Sequence, residues 1–220
     1  GSKNGTYVGE TPIDRIELQD GDFVRFGRLQ FKYLSCTNVE SAYHEELRRL
    51  TISDPMTQTF NRRHFTELLK REFSRARRHS RSLALLMLDL DRFKSINDVF
   101  GHLAGDHALR VSADIFRDSL REEDSLARFG GEEFAVILPD TGVDGATLLA
   151  QRICRKVEEY ELSFRGADIP LTVSIGVSVL TDDDGVDGRS FIARADQALY
   201  AAKNSGRNRV CADSEATFSE

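Results

Sequence analysis

Ala127-Arg128-Phe129-Gly130-Gly131-Glu132-Glu133-Phe134-Ala135-Val136-Ile137-Leu138 is the stretch whose reading decides the fold. Apolar, β-branched and aromatic runs flank a Gly-Gly pair, the pattern of a hairpin whose turn needs positive φ. Two adjacent carboxylates follow the turn. Side chains alternate faces along a strand, so Glu132 and Glu133 cannot do the same job. Either both are solvated acids at a surface hairpin tip, or one faces a metal or a reacting hydroxyl while the other turns away. These residues alone favour the plainer surface tip; the rest of the chain shifts the balance.

Working outward, Leu83-Ala84-Leu85-Leu86-Met87-Leu88 is apolar at every position, as expected of a strand covered on both faces. It runs straight into Asp89-Leu90-Asp91-Arg92-Phe93-Lys94-Ser95-Ile96-Asn97-Asp98. Alternation places Asp89 and Asp91 on one face at the carboxyl end of the sheet, where α/β ligands sit. Carboxylates there suit Mg²⁺, which takes hard oxygen ligands and shares its shell with substrate phosphates. The start of the next helix offers backbone N–H groups to an anion, with Lys94 beside them. The plainer alternative makes Asp91 an N-cap and Lys94 a surface lysine. No P-loop, Gly-x-Gly-x-x-Gly fingerprint, zinc-spaced His/Cys cluster or nucleophile elbow accompanies them.

Composition bounds the rest. The 220 residues, 40% hydrophobic and 30% charged, suit one good core plus a smaller module. A net charge of −6 argues against a general nucleic-acid binder. The basic run Arg71–Arg81 reads as a solvated helix face before it reads as a nucleic-acid contact. No apolar run approaches a membrane span and no signal-peptide pattern opens the chain. Cys36, Cys154 and Cys211, odd in number and far apart, read as reduced thiols of a cytoplasmic protein.

Residues 1–37 form a β module, with short strands expected at Tyr7-Val8, Arg15–Leu18, Phe23–Phe26 and Leu29–Leu34 between Gly- and Asp-rich turns. Residues 38–52 form an amphipathic linker helix with Val39, Tyr43, Leu47 and Leu50 on one stripe, stopped at Ser53-Asp54-Pro55. Residues 53–213 are mixed. Helices are expected over 62–79, 93–100, 103–120, 144–159 and 190–204. Strands are expected over 83–89, 125–138 (the hairpin), 171–179 and 209–211. Residues 214–220 are a tail. The fold class is α+β of the layered α/β type, a mixed central sheet flanked by helices.

From about residue 53 to 211 the chain resembles the GGDEF domain of bacterial diguanylate cyclases, a palm-like nucleotide-cyclase fold. The resemblance rests on Asp54-Pro55-Met56-Thr57…Asn61-Arg62-Arg63 and on Asp89-Leu90-Asp91-x-Phe93-Lys94-x-Ile96-Asn97-Asp98-x-x-Gly101-His102-x-x-Gly105-Asp106. It rests equally on Arg128-Phe129-Gly130-Gly131-Glu132-Glu133-Phe134 and on Ala195-Asp196-x-Ala198-Leu199-Tyr200-x-Ala202-Lys203-x-x-Gly206-Arg207-Asn208. Gln58-Thr59-Phe60 departs from the family's usual Gly-Leu. Residues 1–37 resemble the last third of a forkhead-associated (FHA) domain, through Asn4-Gly5-Thr6-Tyr7-Val8 and Leu18-x-x-Gly21-Asp22-x-Val24-x-Phe26-Gly27, with Gly9 where the family usually has Asn.

The resemblance implies a reaction: two GTP condense to cyclic di-GMP and two pyrophosphates across a homodimer of domains. Asp89, the Leu90 carbonyl and Glu133 would hold Mg²⁺, with Mn²⁺ an alternative. Glu132 would either ligate metal or accept the hydroxyl proton, so Glu132, Glu133, Asp89 and Lys94 form the catalytic set. Lys94, Lys203 and Arg207 would clamp phosphates. Asn97 and Asp106 would read guanine, whose adjacent N1–H and N2–H₂ donors suit a carboxylate. Phe93, His102, Gly130 and Gly131 would complete the nucleotide site. Arg121-Glu122-Glu123-Asp124 matches the family's Arg-x-x-Asp product-inhibition site, and Arg152 falls where its secondary inhibitory arginine lies. A surface ion pair is the plainer account of Arg121 and Asp124. Asn4 matches the FHA residue that contacts a bound peptide's backbone. Through a complete FHA domain, a phosphothreonine peptide would be the regulating partner.

Three readings compete. The acids and cations named above favour an active, product-inhibited cyclase controlled by its N-terminal FHA module. A catalytically degenerate receptor for cyclic di-GMP or GTP, and a phosphopeptide adaptor, are the alternatives. Neither nucleic acid nor membrane is an expected partner.

Overall fold

A computed structural model describes residues 5–35, 51–184 and 188–213. Asn4, Cys36 and the linker helix expected over 38–52, apart from Thr51 and Ile52, lie outside these residues. The chain divides into two compact units, with the boundary between Thr51 and Ile52.

The first unit is an antiparallel sheet ordered β2-β1-β3-β4, from β1 (Thr6–Val8), β2 (Thr11–Ile13), β3 (Phe23–Phe26) and β4 (Leu29–Lys32). Gly9 (φ 61°) and Gly27 (φ 59°) open the two-residue loops of its two hairpins. The strand expected over Arg15–Leu18 is not formed. Both sides of β1 are already taken, by β2 and β3, so Arg15–Leu18 lies in the loop between them. Pro12 is tolerated in β2 because β2 is an edge strand.

The second unit is a six-stranded mixed sheet, β12-β11-β6-β8-β7-β5. Its strands are β5 (Phe60–Asn61), β6 (Leu83–Leu90), β7 (Ser125–Arg128), β8 (Glu133–Pro139), β11 (Val173–Val179) and β12 (Val210–Ala212). Five helices flank it: α1 (Arg62–His79), α2 (Phe93–Phe100), α3 (His102–Arg117), α4 (Val143–Glu158) and α5 (Arg189–Asn204). A small hairpin, β9 (Ser163–Phe164) with β10 (Ala167–Asp168), joins α4 to β11. The short β5 and this hairpin have no apolar alternation long enough to announce them. The helix expected over 103–120 stops at Arg117, where Asp118–Leu120 turn away through N–H bonds to the last carbonyls. No described helix is long and apolar enough to cross a membrane.

All eight residues of β6 are buried, as its unbroken apolar run requires. Alternate side chains sort to two cores. Ala84, Leu86, Leu88 and Leu90 pack with α2, α3 and α4; Leu83, Leu85 and Met87 pack with α1 and α5. On β8, Phe134, Val136 and Leu138 join the first core, while Ala135 and Ile137 join the second. By that parity Asp89 and Glu133 continue the face covered by α1 and α5. α5 lies unusually close to β11. A Cβ on Gly176 would stand 2.2 Å from both the Ala195 carbonyl oxygen and the Leu199 nitrogen. This close seat brings Lys203, one turn beyond Leu199, to the end of β6.

The basic run keeps to the outer side of α1 and its end. Arg71 and Arg75 pair with Glu72 at 3.7 and 3.5 Å, and Arg81 with Asp140 at 3.1 Å. α1 itself starts at an Asn61 cap, whose side chain accepts the His64 N–H at 2.9 Å, and buries Phe65, Leu68, Leu69, Phe73 and Ala76.

Candidate active site

Asp89 and Glu133 are directly paired in the antiparallel register of β6 with β8, and Leu90 N–H donates to the Glu132 carbonyl at 3.3 Å. Opposed residues on one face place their Cβ atoms about 5 Å apart. The two carboxylates, 44 residues apart in sequence, thus end neighbouring rows of one face. Lys203 Nζ lies 2.7 Å from Asp89 Oδ2. Burial pushes the Asp89 carboxyl up, the Lys203 ammonium pulls against that rise, and the charges of Glu132 and Glu133 add to it.

Glu132 and Glu133 diverge, as alternation requires. Glu132 lines a cleft of about 490 Å³ with Phe93, Lys94, Asn97, His102, Asp106 and Gly131. Glu133 lines a groove of about 330 Å³ with Arg62, Phe129, Asp196, Tyr200 and Lys203. Seven residues expected around the nucleotide are therefore in one cleft on the α2–α3 side. Arg207 is not among the lining residues of either cavity; it sits in the turn after α5 at φ 67°.

The Gly-Gly turn does not work as its sequence suggested. Neither Gly130 nor Gly131 adopts a left-handed φ. A Cβ on Gly130 would stand 2.3 Å from Glu133 Oε2 and push that carboxylate aside, whereas one on Gly131 would meet open space. Phe129 and Gly130 N–H groups both donate to the Glu133 carbonyl, at 2.7 and 3.1 Å, which closes the turn.

Arg128 braces it from one side. Its Nη2 and Nε donate to the Gly131 carbonyl at 2.7 and 3.1 Å, and its Nη1 reaches both Asp54 carboxylate oxygens at 3.3 Å. Burial alone would raise Asp54, but hydrogen bonds from Thr57 and the Arg128 charge outweigh it and hold the carboxyl below its ordinary range. A second brace is Gly105 on α3. A Cβ there would stand 2.0 Å from Asn97 Oδ1, so glycine makes the notch that receives the Asn97 side chain. Both residues stood inside motifs quoted above, but only their three-dimensional neighbours give them these tasks.

Asp91 is neither an N-cap nor a cleft residue. Arg92 precedes α2 with no side-chain cap, while Asp91, 5% exposed, accepts from Ser174 Oγ (2.7 Å), Thr172 Oγ1 (2.9 Å) and Asn208 N–H (3.0 Å). Cys154 is a buried thiol pushed up to about 12 by desolvation and then by the Asp91 and Glu158 charges, which makes it inert. In the groove, burial and then the Glu133 charge raise the Asp196 carboxyl, with Arg62 opposing.

At the expected product site the ion pair between Arg121 and Asp124 is not formed. Asp124 Oδ2 instead accepts the Arg121 backbone N–H at 2.9 Å, closing a local turn. The Arg121 guanidinium is well exposed, 3.9 Å from Glu123. Burial and then the Glu123 charge raise Asp124, although the Arg121 N–H opposes them. Arg152, on α4, donates to the Ser119 carbonyl at 2.7 Å, which ties it to the segment just before that turn. Arg121 and Asp124 also line a cavity of about 220 Å³ with Gln58, Phe60 and Leu126.

The donor set at the end of β6 fits a hard divalent cation. It offers oxygen ligands, a like-charge crowd and one ammonium to balance it. Among the described residues no three acidic, His or Cys side chains gather as a closed metal cage. Mg²⁺ bound by one or two carboxylates, with substrate oxygens completing its shell, needs none.

Fold and site together define an α+β domain whose carboxylate centre stands between a polar cleft and a cation-lined groove. The family model for the diguanylate cyclase GGDEF domain matches residues 51–209, and that for the FHA domain residues 1–27. The chain belongs to the GGDEF family, with part of an FHA domain at its N-terminal side. It is 39% identical over 190 residues to diguanylate cyclase DgcP of Pseudomonas aeruginosa, covering 84% of this chain and 28% of that protein. It is also 39% identical over 170 residues to diguanylate cyclase A of Treponema denticola, covering 76% of this chain and 46% of that one. It thus spans less than half the length of these curated relatives. The GGDEF domain of DgcB from Caulobacter crescentus, solved in complex with c-di-GMP, superposes with a TM-score of 0.71 at 34% identity, covering 74% of this chain and 96% of that one. The active GGEEF domain of a diguanylate cyclase from Vibrio cholerae gives 0.65 at 36% identity, covering 69% and 96%.

Proposed function

We propose that this chain condenses two GTP into cyclic di-GMP, each domain of a homodimer holding one nucleotide. The carrying observation is the in-register pairing of Asp89 with Glu133, beside a cleft that gathers Lys94, Asn97, Asp106 and Glu132. In each half-reaction a ribose 3′-oxygen bonds to the α-phosphorus of the facing GTP. The bond from that phosphorus to the β-phosphate bridging oxygen breaks, and pyrophosphate leaves with the electron pair. The hydroxyl proton passes to Glu132, on the cleft side of the hairpin. Asp89, the Leu90 carbonyl and Glu133 would hold Mg²⁺ (or Mn²⁺), which when bound would supply positive charge to offset that on the phosphates. Lys94, Lys203 and Arg207 supply further positive charge, Phe93 and His102 wall the cleft, and Gly131 leaves open space over the turn. Asn97 and Asp106 select guanine over adenine, because a carboxylate pairs with two adjacent donors and adenine lacks them.

The turn at Arg121–Asp124, with Arg152 anchored to Ser119 just before it, binds cyclic di-GMP as a product inhibitor. A planar guanidinium suits both guanine's Hoogsteen edge and phosphate. Control comes from the FHA module, whose complete form reads a phosphothreonine peptide. The deciding experiment is incubation with GTP and Mg²⁺ and chromatographic separation of the products. A cyclic di-GMP peak dependent on the cation is expected; unconverted GTP would sink the proposal.

A further inference from the structure

The groove on the α1–α5 side of the hairpin holds a cation that the scheme above does not use. The Arg62 guanidinium lies 4.5 Å from the centroid of the Phe129 ring, and Phe129 packs edge-on against Phe65 at 5.7 Å. Phe129 opens the turn that presents Glu133, and Arg62 lines the groove with Glu133, Asp196 and Lys203. Among the described residues no carboxylate lies within ion-pair distance of Arg62, whereas Lys203 is committed to Asp89. The Arg62 guanidinium is thus held close to an aromatic ring, and its planar fork of N–H donors suits a phosphate.

Position gives this cation a task. In-line displacement puts the attacking and leaving oxygens on opposite sides of the phosphorus. The cleft on the α2–α3 side carries the base-reading pair and Glu132, whereas Lys203 links Asp89 to the groove on the other face. With the base in that cleft, the in-line geometry of the proposed reaction directs the leaving group toward the Lys203 side.

We propose that Arg62 is a pyrophosphate-binding residue, receiving the leaving group in the groove between the hairpin and α5, and that the opposing Asp196 carboxylate limits how tightly it is retained. The inference rests on the cyclase reading. A cation alone would slow product release; an anion facing it across the same groove weakens the hold.

The test is calorimetric titration of Mg-pyrophosphate into the full chain without GTP, alongside pyrophosphate inhibition of turnover. Arg62→Met keeps the apolar stem on Phe129 and should weaken pyrophosphate binding about tenfold, the scale of one charge-assisted contact. Arg62→Lys, which keeps the charge but not the fork, should fall between. Asp196→Asn should tighten binding about threefold, the reverse sign. Pyrophosphate affinity within twofold of wild type in Arg62→Met would overturn the proposal. So would Asp196→Asn weakening it in step with Arg62→Met, the signature of a mere prop under the turn. Wild-type protein that binds pyrophosphate through Arg62 yet makes no cyclic di-GMP would sink the cyclase reading, and with it the leaving-group role, leaving Arg62 a pyrophosphate-binding residue alone.

Discussion

Asp89 and Glu133 sit opposite one another on paired strands, and the ammonium of Lys203 lies 2.7 Å from Asp89. This arrangement predicts that Glu133→Ala and Asp89→Asn each abolish cyclic di-GMP formation while the circular-dichroism spectrum is retained. The Asp89 carboxyl is raised in the folded state, so its contribution to stability is present below its unfolded value and lost as pH rises through the folded one. Metal-free Asp89→Asn should therefore melt no lower than wild type at neutral pH. Wild-type turnover in either variant would end the metal assignment.

Gly130→Ala and Gly131→Ala separate the two glycines. The first forces Glu133 aside and should cut kcat by about a hundredfold or more, the ~3 kcal/mol scale of a misplaced charged group. The second adds a methyl to open space over the turn and should act mainly on KM for GTP. Equal losses in kcat would refute the crowding account.

Gly105→Ala should relax base choice without touching a reacting group. The added methyl displaces the Asn97 side chain, and losing one reader of guanine costs on the order of 1–3 kcal/mol. The ratio of kcat/KM for GTP to that for ATP should drop by about tenfold or more. An unchanged ratio would remove Asn97 from the base-reading pair.

Asp54→Asn tests the brace behind the hairpin. Its carboxyl is held low in the folded state, so the stability it contributes is present above its unfolded value and disappears as pH falls through the folded one. Wild type should exceed the variant by about 1–3 kcal/mol in urea unfolding at neutral pH, and the gap should close in acid. A gap that persists in acid would show that Arg128 charge plays no part.

Arg121→Ala should weaken cyclic di-GMP binding in calorimetry and raise steady-state output, because the exposed guanidinium is left available by the turn. Unchanged affinity would make Arg121–Asp124 a turn and nothing more.

Much of the second unit was legible in the sequence because its long elements carry their own periodicity. The unbroken run from Leu83 to Leu88 and the alternating face of α1 left little choice. Where the sequence misled, a partner decided the outcome. Arg15–Leu18 alternates well but pairs with no strand, while the unremarkable Thr11–Ile13 takes the free side of β1. At the site, Asp89 and Glu133 announced themselves by ending apolar strands. The notch between Gly105 and Asn97, and the reach of Arg128 to Asp54 across 74 residues, depend on helix and loop placement that no spacing encodes. Asp124 shows the local version: a short acid took the nearest backbone N–H ahead of the guanidinium beside it.

Asp91, drawing in Thr172 and Ser174 at the start of β11 and the backbone of Asn208, rivets two remote segments to the tip of the central strand. Arg207 adjoins that rivet, so the carboxylate Asp89 and the cation Arg207 of the proposed site are gauged from the same point. A domain that carries its own ruler has little internal slack for a regulator to exploit. In the homodimer proposed above, the quantity left to adjust is the angle at which two such domains meet.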